Sequence, residues 1–293
     1  MRVRGVLCAV LVTCVGGSAA AIAQAPERPK GNFGGGALVA PPKDLFGPGN
    51  AVIALRALPE GRLEIEATVT ARCASGDLQA AISMRSDGSF RAEGSESQTP
   101  APGEKVTTTF ELSGSFTSER AIEGTLSATL AKTSASAEKK TCKSGTIAFS
   151  ARRPRGEIGD RRVQPRARYF GTTAQRGTGP KRPIVLRLSG DRRRISRALF
   201  GEQVKCSDGK RSIGIEAPRT NVAIDSKGRV SDHETDKIDN GATFTYIDDR
   251  FTGTLGRTGA KGTFSLSDRT VDKASGNVVQ SCSSGTVKWA AAP

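Results

Sequence analysis

Histidine occurs once in 293 residues, at His233, and tryptophan once, at Trp289. One imidazole cannot build a multi-histidine metal site and leaves little for histidine-based acid–base chemistry. Aromatic residues make up only 5 % of the chain, which counts against a surface that stacks sugars or bases. No segment approaches the ~18 consecutive apolar residues of a membrane-spanning helix. The Gly-x-Ser-x-Gly and His-Glu-x-x-His patterns of hydrolases are missing. What remains is ordinary globular material: 36 % apolar residues, 34 glycines, and an excess of 44 Lys+Arg over 29 Asp+Glu that leaves a net charge of +15.

The first residues read as an export signal. Arg2 and Arg4 precede an apolar run from Val6 to Val15, and small residues end in Ala21-Ile22-Ala23. That layout predicts a cleaved signal peptide over 1–23 and a mature chain outside the cytoplasm, secreted or periplasmic. The arginines are not adjacent, so the twin-arginine route is not indicated. Thr13 before Cys14 departs from a lipoprotein box.

Cys8 and Cys14 leave with that signal. Cys73, Cys142, Cys206 and Cys282 remain, and four cysteines in an exported chain read as two disulfides with three connectivities. They lack zinc-knuckle spacing and histidine partners, so no metal is assigned. No base accompanies them for nucleophilic catalysis.

The cysteines also reveal a duplication. Cys142-Lys-Ser-Gly-Thr-Ile-Ala-Phe149 matches Cys282-Ser-Ser-Gly-Thr-Val-Lys-Trp289 without a gap. Met84 to Phe90 matches Ile224 to Val230, Leu55-Arg56 matches Leu186-Arg187, and Phe46-Gly47 is paired with Phe170-Gly171. Phe116 ahead of Gly124-Thr-Leu126 is paired with Phe251 ahead of Gly262-Thr-Phe264. Each copy has about 110–125 residues, a normal domain size. Because both cysteines recur in both copies, Cys73–Cys142 and Cys206–Cys282 are the economical bonds.

Within the copies the period is two. Leu63, Ile65, Ala67, Val69, Ala71 and Cys73 alternate with Glu64, Glu66, Thr68, Thr70 and Arg72, the pattern of a strand with one buried and one wet face. Phe110–Phe116, Leu126–Leu130, Ile184–Leu188 and Val287–Trp289 alternate likewise. Glu202 breaks the pattern by falling on the inward parity, which predicts a bulge nearby. No helical stretch stands out. The expected fold is all-β: two tandem antiparallel β-sandwich or barrel-like domains, one disulfide each. The layout is signal peptide 1–23, Gly/Pro-rich linker 24–42 with Gly34-Gly35-Gly36, copy 1 over 43–152, basic linker 153–166, and copy 2 over 167–291. Phe149 and Trp289 read as core plugs beside the disulfides rather than ligand-stacking rings.

The order of an early Cys, a Ser-x-Gly-x-[Phe/Val] segment, a Phe then Gly-Thr, and a final Cys-x-Ser-Gly-Thr-[Ile/Val]-x-aromatic resembles a β domain of exported bacterial proteins. The resemblance covers roughly Leu45 to Ala151 and Ala167 to Ala291. It implies export and the two-copy layout, and it carries no activity, cofactor or catalytic residue.

Charge is concentrated at the junction. Between Ala151 and Phe200 the chain carries fifteen Arg or Lys against Glu157, Asp160 and Asp191. Arg152, Arg153, Arg155, Arg161 and Arg162 read as an extended, exposed linker. Arg192, Arg193 and Arg194 follow Gly190-Asp191, a hairpin turn with three guanidiniums at its tip. Arginine forks suit phosphate and carboxylate. These eight residues are therefore the candidate polyanion site, with an anionic envelope polymer or lipid surface as partner. Aromatics are not interleaved with them, which speaks against specific nucleic-acid binding.

Other candidates are weaker. Asp232-His233-Glu234-Thr235-Asp236 starts like a calcium loop, but Lys237 stands where the turn needs glycine. It reads as a solvated acidic loop with a surface histidine. Asp248 and Asp249 are adjacent, so on a strand they face opposite ways. The sequence predicts a secreted, non-enzymatic binding or structural protein of the bacterial cell envelope, without cofactors. The alternative is a small carbohydrate-active or other hydrolytic enzyme working with two carboxylates.

Overall fold

The computed structural model describes residues 29–38, 49–99, 103–160, 162–176 and 179–293, and leaves the side chains of 176 and 211–219 undescribed. The signal-peptide reading falls outside the described residues.

Among the described residues the chain is all β apart from one short 3-10 turn, Pro59–Gly61. Copy 1 has eight strands: β1 Gly31–Leu38, β2 Asn50–Ala57, β3 Arg62–Ala71, β4 Ala74–Ser83, β5 Ser89–Gln98, β6 Lys105–Ser118, β7 Ala121–Thr133 and β8 Lys139–Arg152. Copy 2 has β9 Arg168–Arg176, β10 Lys181–Leu188, β11 Arg194–Cys206, β12 Arg211–Arg219, β13 Val222–Ala223, β14 Arg229–Asp239, β15 Thr243–Leu255, β16 Ala260–Asp272, β17 Val278–Ser283 and β18 Val287–Ala292. In copy 1 each strand pairs with its sequence neighbour, except across β4 and β5, and the first pairs with the last: β4-β3-β2-β1-β8-β7-β6-β5. Such a meander rolls into a barrel-like sheet whose edges are β4 and β5. Copy 2 repeats the order as β12-β11-β10-β9-β18-β16-β15-β14. There the last strand is split, and its first piece, β17, pairs with both β11 and β16.

The alternation read from the sequence is the inside–outside pattern of these barrels. Leu55, Leu63, Ile65, Leu112, Ile122 and Leu126 fill the first, and Ile184, Leu186, Phe200, Phe251, Phe264 and Trp289 the second. Trp289 stacks on Phe251, centroids 5.2 Å apart. Phe149 and Trp289 are both buried, as core plugs. The disulfides are Cys73–Cys142 and Cys206–Cys282, one per copy.

The Cys-x-Ser-Gly-Thr motif is a bulge. Gly145 and Gly285 take φ of 72° and 61°, a conformation that suits glycine. The ladder loses register there, and the preceding serine repairs it. Ser144 Oγ accepts the Ala128 N–H at 2.9 Å, and Ser284 Oγ accepts the Leu266 N–H at 2.8 Å. One extra residue bends the last strand around the barrel.

Three expectations need correction. Residues 31–38 are not linker: β1 is a full strand between β2 and β8. Its glycines let backbones meet where a side chain would not fit; a Cβ on Gly35 would lie 1.8 Å from the Ser150 carbonyl oxygen. Phe46-Gly47 lies outside the described residues, and the register mate of Phe170-Gly171 is Gly34-Gly35. Gly35 sits between Ile53 and Ala151 as Gly171 sits between Ile184 and Ala291. Finally, Phe251 corresponds to Leu112 rather than Phe116, because Leu112 faces Leu126 as Phe251 faces Phe264.

The two barrels touch. β2 and β10 are buried on both faces, which explains their unbroken apolar runs. Leu38, Val52, Phe170, Val185 and Leu199 form a separate cluster between the barrels. Backbone meets backbone there as well: a Cβ on Gly34 would lie 1.8 Å from the Gly171 carbonyl oxygen.

Candidate functional site

The basic segment divides into three groups. Arg152 and Arg153 are occupied by the fold. Arg152 ends β8, pairs with Glu123 at 2.9 Å, donates to the Pro293 carbonyl at 3.2 Å and lies over the Phe170 ring at 5.7 Å. Arg153 lies over Phe33 at 5.7 Å and donates to the Lys30 carbonyl. The exposed-linker reading fails for these two because their guanidiniums bind aromatic faces and carbonyls at the barrel junction.

The rest of the linker is a strap on copy 2. The Ile158 and Asp160 carbonyls accept the Thr258 and Arg257 N–H groups, and Val163 is buried in the second core. Arg155 and Arg162 are exposed on this strap, and Arg161 lies outside the described residues.

The third group is a turn. Ser189 and Arg194 close the β10–β11 hairpin by their backbones at 3.0 Å. Asp191 is held inside the turn by the Ser189 hydroxyl and by the Arg193 N–H at 3.0 Å, and these bonds lower its pKa below the usual carboxylate value. Arg192, Arg193 and Arg194 are exposed. None is in an ion pair among the described residues. The strap adds a fourth cation. The Arg166 N–H donates to the Ser189 carbonyl at 3.1 Å, and Arg166 Nε lies 3.5 Å from where a Cβ on Gly190 would stand. Sequence reasoning missed Arg166 because the contact depends on the strap folding back.

The acidic stretch Asp232–Asp236 is strand, not loop: it lies in β14 and pairs with β15 throughout. His233 is on the surface as expected, 2.9 Å from Asp248. Asp248 and Asp249 face opposite ways; Asp249 is buried while Asp248 is partly exposed. Among the described residues no group of three His, Cys, Asp or Glu side chains could hold a metal ion. No helix there is long and apolar enough to cross a membrane.

The copies differ most at the disulfide end of the interior. Leu130 faces Cys142, whereas Asp268 faces Cys282. Phe110 faces Ala128, whereas Asp249 faces Leu266. Four residues before the first cysteine, copy 1 has Val69 and copy 2 has Glu202. Burial pushes the Glu202 carboxyl up to about 7, with the charge of Asp268 adding to the effect, and burial raises Asp268 as well. A residue-by-residue alignment of the copies carries this signal, which the landmark matches passed over. Compared with protein-family models, curated proteins and solved structures, the chain matches none of them.

Proposed function

We propose that this chain is a secreted, non-enzymatic binding protein of the bacterial cell envelope that holds anionic polymers on the arginine turn of its second barrel. The observation that carries this reading is the convergence of Arg166, Arg192, Arg193 and Arg194 on one exposed turn whose single carboxylate, Asp191, is engaged within it. Guanidinium forks match phosphate and carboxylate oxygens. The two disulfides suit an oxidising compartment outside the cytoplasm. Two barrels joined by a packed interface make a rigid support for such a turn.

Binding to a phosphate-rich polymer measured from low to physiological salt tests the proposal. Counterion release makes affinity fall steeply with salt. Changing Arg192, Arg193 and Arg194 to Ser is expected to remove most of that slope. Lack of binding by the unmodified chain at low salt, or an unchanged slope in the variant, overturns the reading.

A further inference from the structure

Copy 2 carries a groove that copy 1 does not match in chemistry. It lies on the outer face of the sheet where β14, β15, β16, β17 and the end of β11 run side by side, and its volume is about 690 Å³, in the range of small-ligand sites. Arg269, Lys205, Tyr246, Ser267, Ser281 and Asp248 line it.

The register places these groups. Arg269 sits between Tyr246 and Ser281, and Lys205 sits beside Ser283. Arg269 and Lys205 are thus two strands apart, about 10 Å across the sheet, and offset by two residues, about 7 Å along it. Two long side chains can converge on one group over the serine floor between them. Ser267 and Ser281 are exposed, and their hydroxyls make no hydrogen bond among the described residues. Arg269 and Lys205 are exposed and in no ion pair there. Two other cations of this part of the sheet are engaged: Lys273 with Asp239, Arg250 with Asp248. Three aspartates line the groove. Asp248 is already held by His233 at 2.9 Å and Arg250 at 3.5 Å. Asp236 and Asp268 both pair with Ile247, on the row whose side chains leave the sheet on the opposite face from Tyr246 and Arg269.

Tyr246 sets Arg269 and Lys237 in place. Arg269 Cζ lies 5.3 Å from its ring centroid and Lys237 Nζ 5.3 Å, with Lys237 also 3.6 Å from the Phe244 centroid. Cation–ring contact holds the charges upright from the sheet. In copy 1 the register positions of Tyr246 and Arg269 are Thr107 and Ala131, opposite each other in the same way. Copy 1 also has a basic residue, Arg72, just before its first cysteine, as copy 2 has Lys205, and it has Lys143 where copy 2 has Ser283. What copy 2 adds is Arg269 held against the Tyr246 ring.

We infer that this groove is a binding site for a single anionic sugar unit, one bearing a carboxylate or a phosphate. The anion sits between Arg269 and Lys205, and the serine hydroxyls meet the unit's hydroxyls. The site is separate from the arginine turn, because Lys205 ends the strand that the turn begins, and β11 spans 13 residues, about 40 Å.

Titration calorimetry on the full chain tests it with three short oligomers: uronic acid, glycerol phosphate and a neutral hexose. Saturable binding of one charged oligomer and none of the neutral one is expected, and the charged oligomer that binds tells carboxylate from phosphate. Arg269→Gln should weaken it at least ~10-fold, the usual loss when a hydrogen bond to a charged group goes, and Tyr246→Ser should weaken it by a smaller factor. The triple change of Arg192, Arg193 and Arg194 to Ser should leave it unaltered while abolishing polymer binding, so the two proposals fail separately. Absence of saturable binding by either charged oligomer, or equal affinity in Arg269→Gln with an unchanged circular dichroism spectrum, overturns the inference.

Discussion

Arg182 of β10 donates to Glu66 of β3 across the boundary between the barrels, Nη1 to Oε2 at 2.6 Å, with side chains 8 % and 17 % exposed. Beside it, the Lys181 N–H donates to Asn32 Oδ1 at 3.0 Å. Arg182 and Lys181 lie on β10 and Asn32 on β1, strands that also carry the interbarrel apolar cluster, and Glu66 lies on β3 next to β2 of that cluster, so the ion pair fixes the register of one barrel on the other. Removing one partner leaves the other charge in a place with little water. Glu66→Ala should cost about 3 kcal/mol, read from denaturant unfolding. Replacing both partners with apolar residues should recover most of that loss. Equal stability of Glu66→Ala and the unmodified chain would show that water reaches the pair.

The interior acid Glu202 gives stability an unusual pH dependence. Its carboxyl rises from 4.5 to about 7 because burial disfavours the anion. Below pH 4.5 it is neutral in the folded and unfolded chains alike and costs nothing. Between pH 4.5 and 7 the unfolded chain ionises first, so folding weakens, and above 7 the loss is constant. Stability should fall from pH 5 to pH 8 by on the order of 2 kcal/mol, opposite in sign to an ion-paired carboxylate. Asp248, Asp225 and Asp239 have lowered values and act in acid, outside that window. Glu202→Gln should flatten the curve and raise stability at pH 8. A curve that is flat in the unmodified chain, or that keeps its slope in Glu202→Gln, contradicts this account.

How far the fold was legible depended on what kind of contact each residue makes. The barrels follow from period two: Leu63 to Ala71 and Phe110 to Leu112 place their apolar atoms inward by pattern alone. The disulfides followed from duplication. β1 escaped because Gly34, Gly35 and Gly36 have no side chains to alternate; their strand is specified by neighbours that admit only backbone. The junction escaped for a related reason. Arg152 and Arg153 have the same formal charge as Arg192 and Arg193, and only tertiary contacts with Phe170 and Phe33 distinguish a structural arginine from a free one. The groove was hidden because Tyr246 and Arg269 are 23 positions apart in sequence by their numbering and adjacent only through the β15–β16 register.

The bulge serines make a third test. Ser144 and Ser284 each take a backbone N–H that would otherwise lack an acceptor at the bend of the last strand. Ser144 is buried, so its loss leaves the Ala128 N–H without water. Ser144→Ala should cost roughly 1–3 kcal/mol. Ser284 is half-exposed, and Ser284→Ala should cost less, since water can replace the hydroxyl. Thermal melts of the two variants check the order. A reversed order would mean that the bulge in copy 2 depends on the serine more than burial indicates.

The last prediction separates the two kinds of arginine by stability rather than binding. Arg152 has a side chain 22 % exposed and ties Glu123, Phe170 and Pro293 together at the barrel junction. Its removal loses packing of the long stem as well as charge. Arg152→Ser should destabilise by about 1–2 kcal/mol. Arg192, Arg193 and Arg194 stand on an exposed turn and make no ion pair among the described residues, so changing all three to Ser should move the unfolding midpoint very little. It should raise stability slightly if their mutual repulsion outweighs the attraction of Asp191 within the turn. Chemical denaturation of the two variants, at low and at high salt, gives the answer. A triple variant less stable than Arg152→Ser would mean that the turn's arginines support the hairpin itself, and their charge would then no longer be available to a polymer.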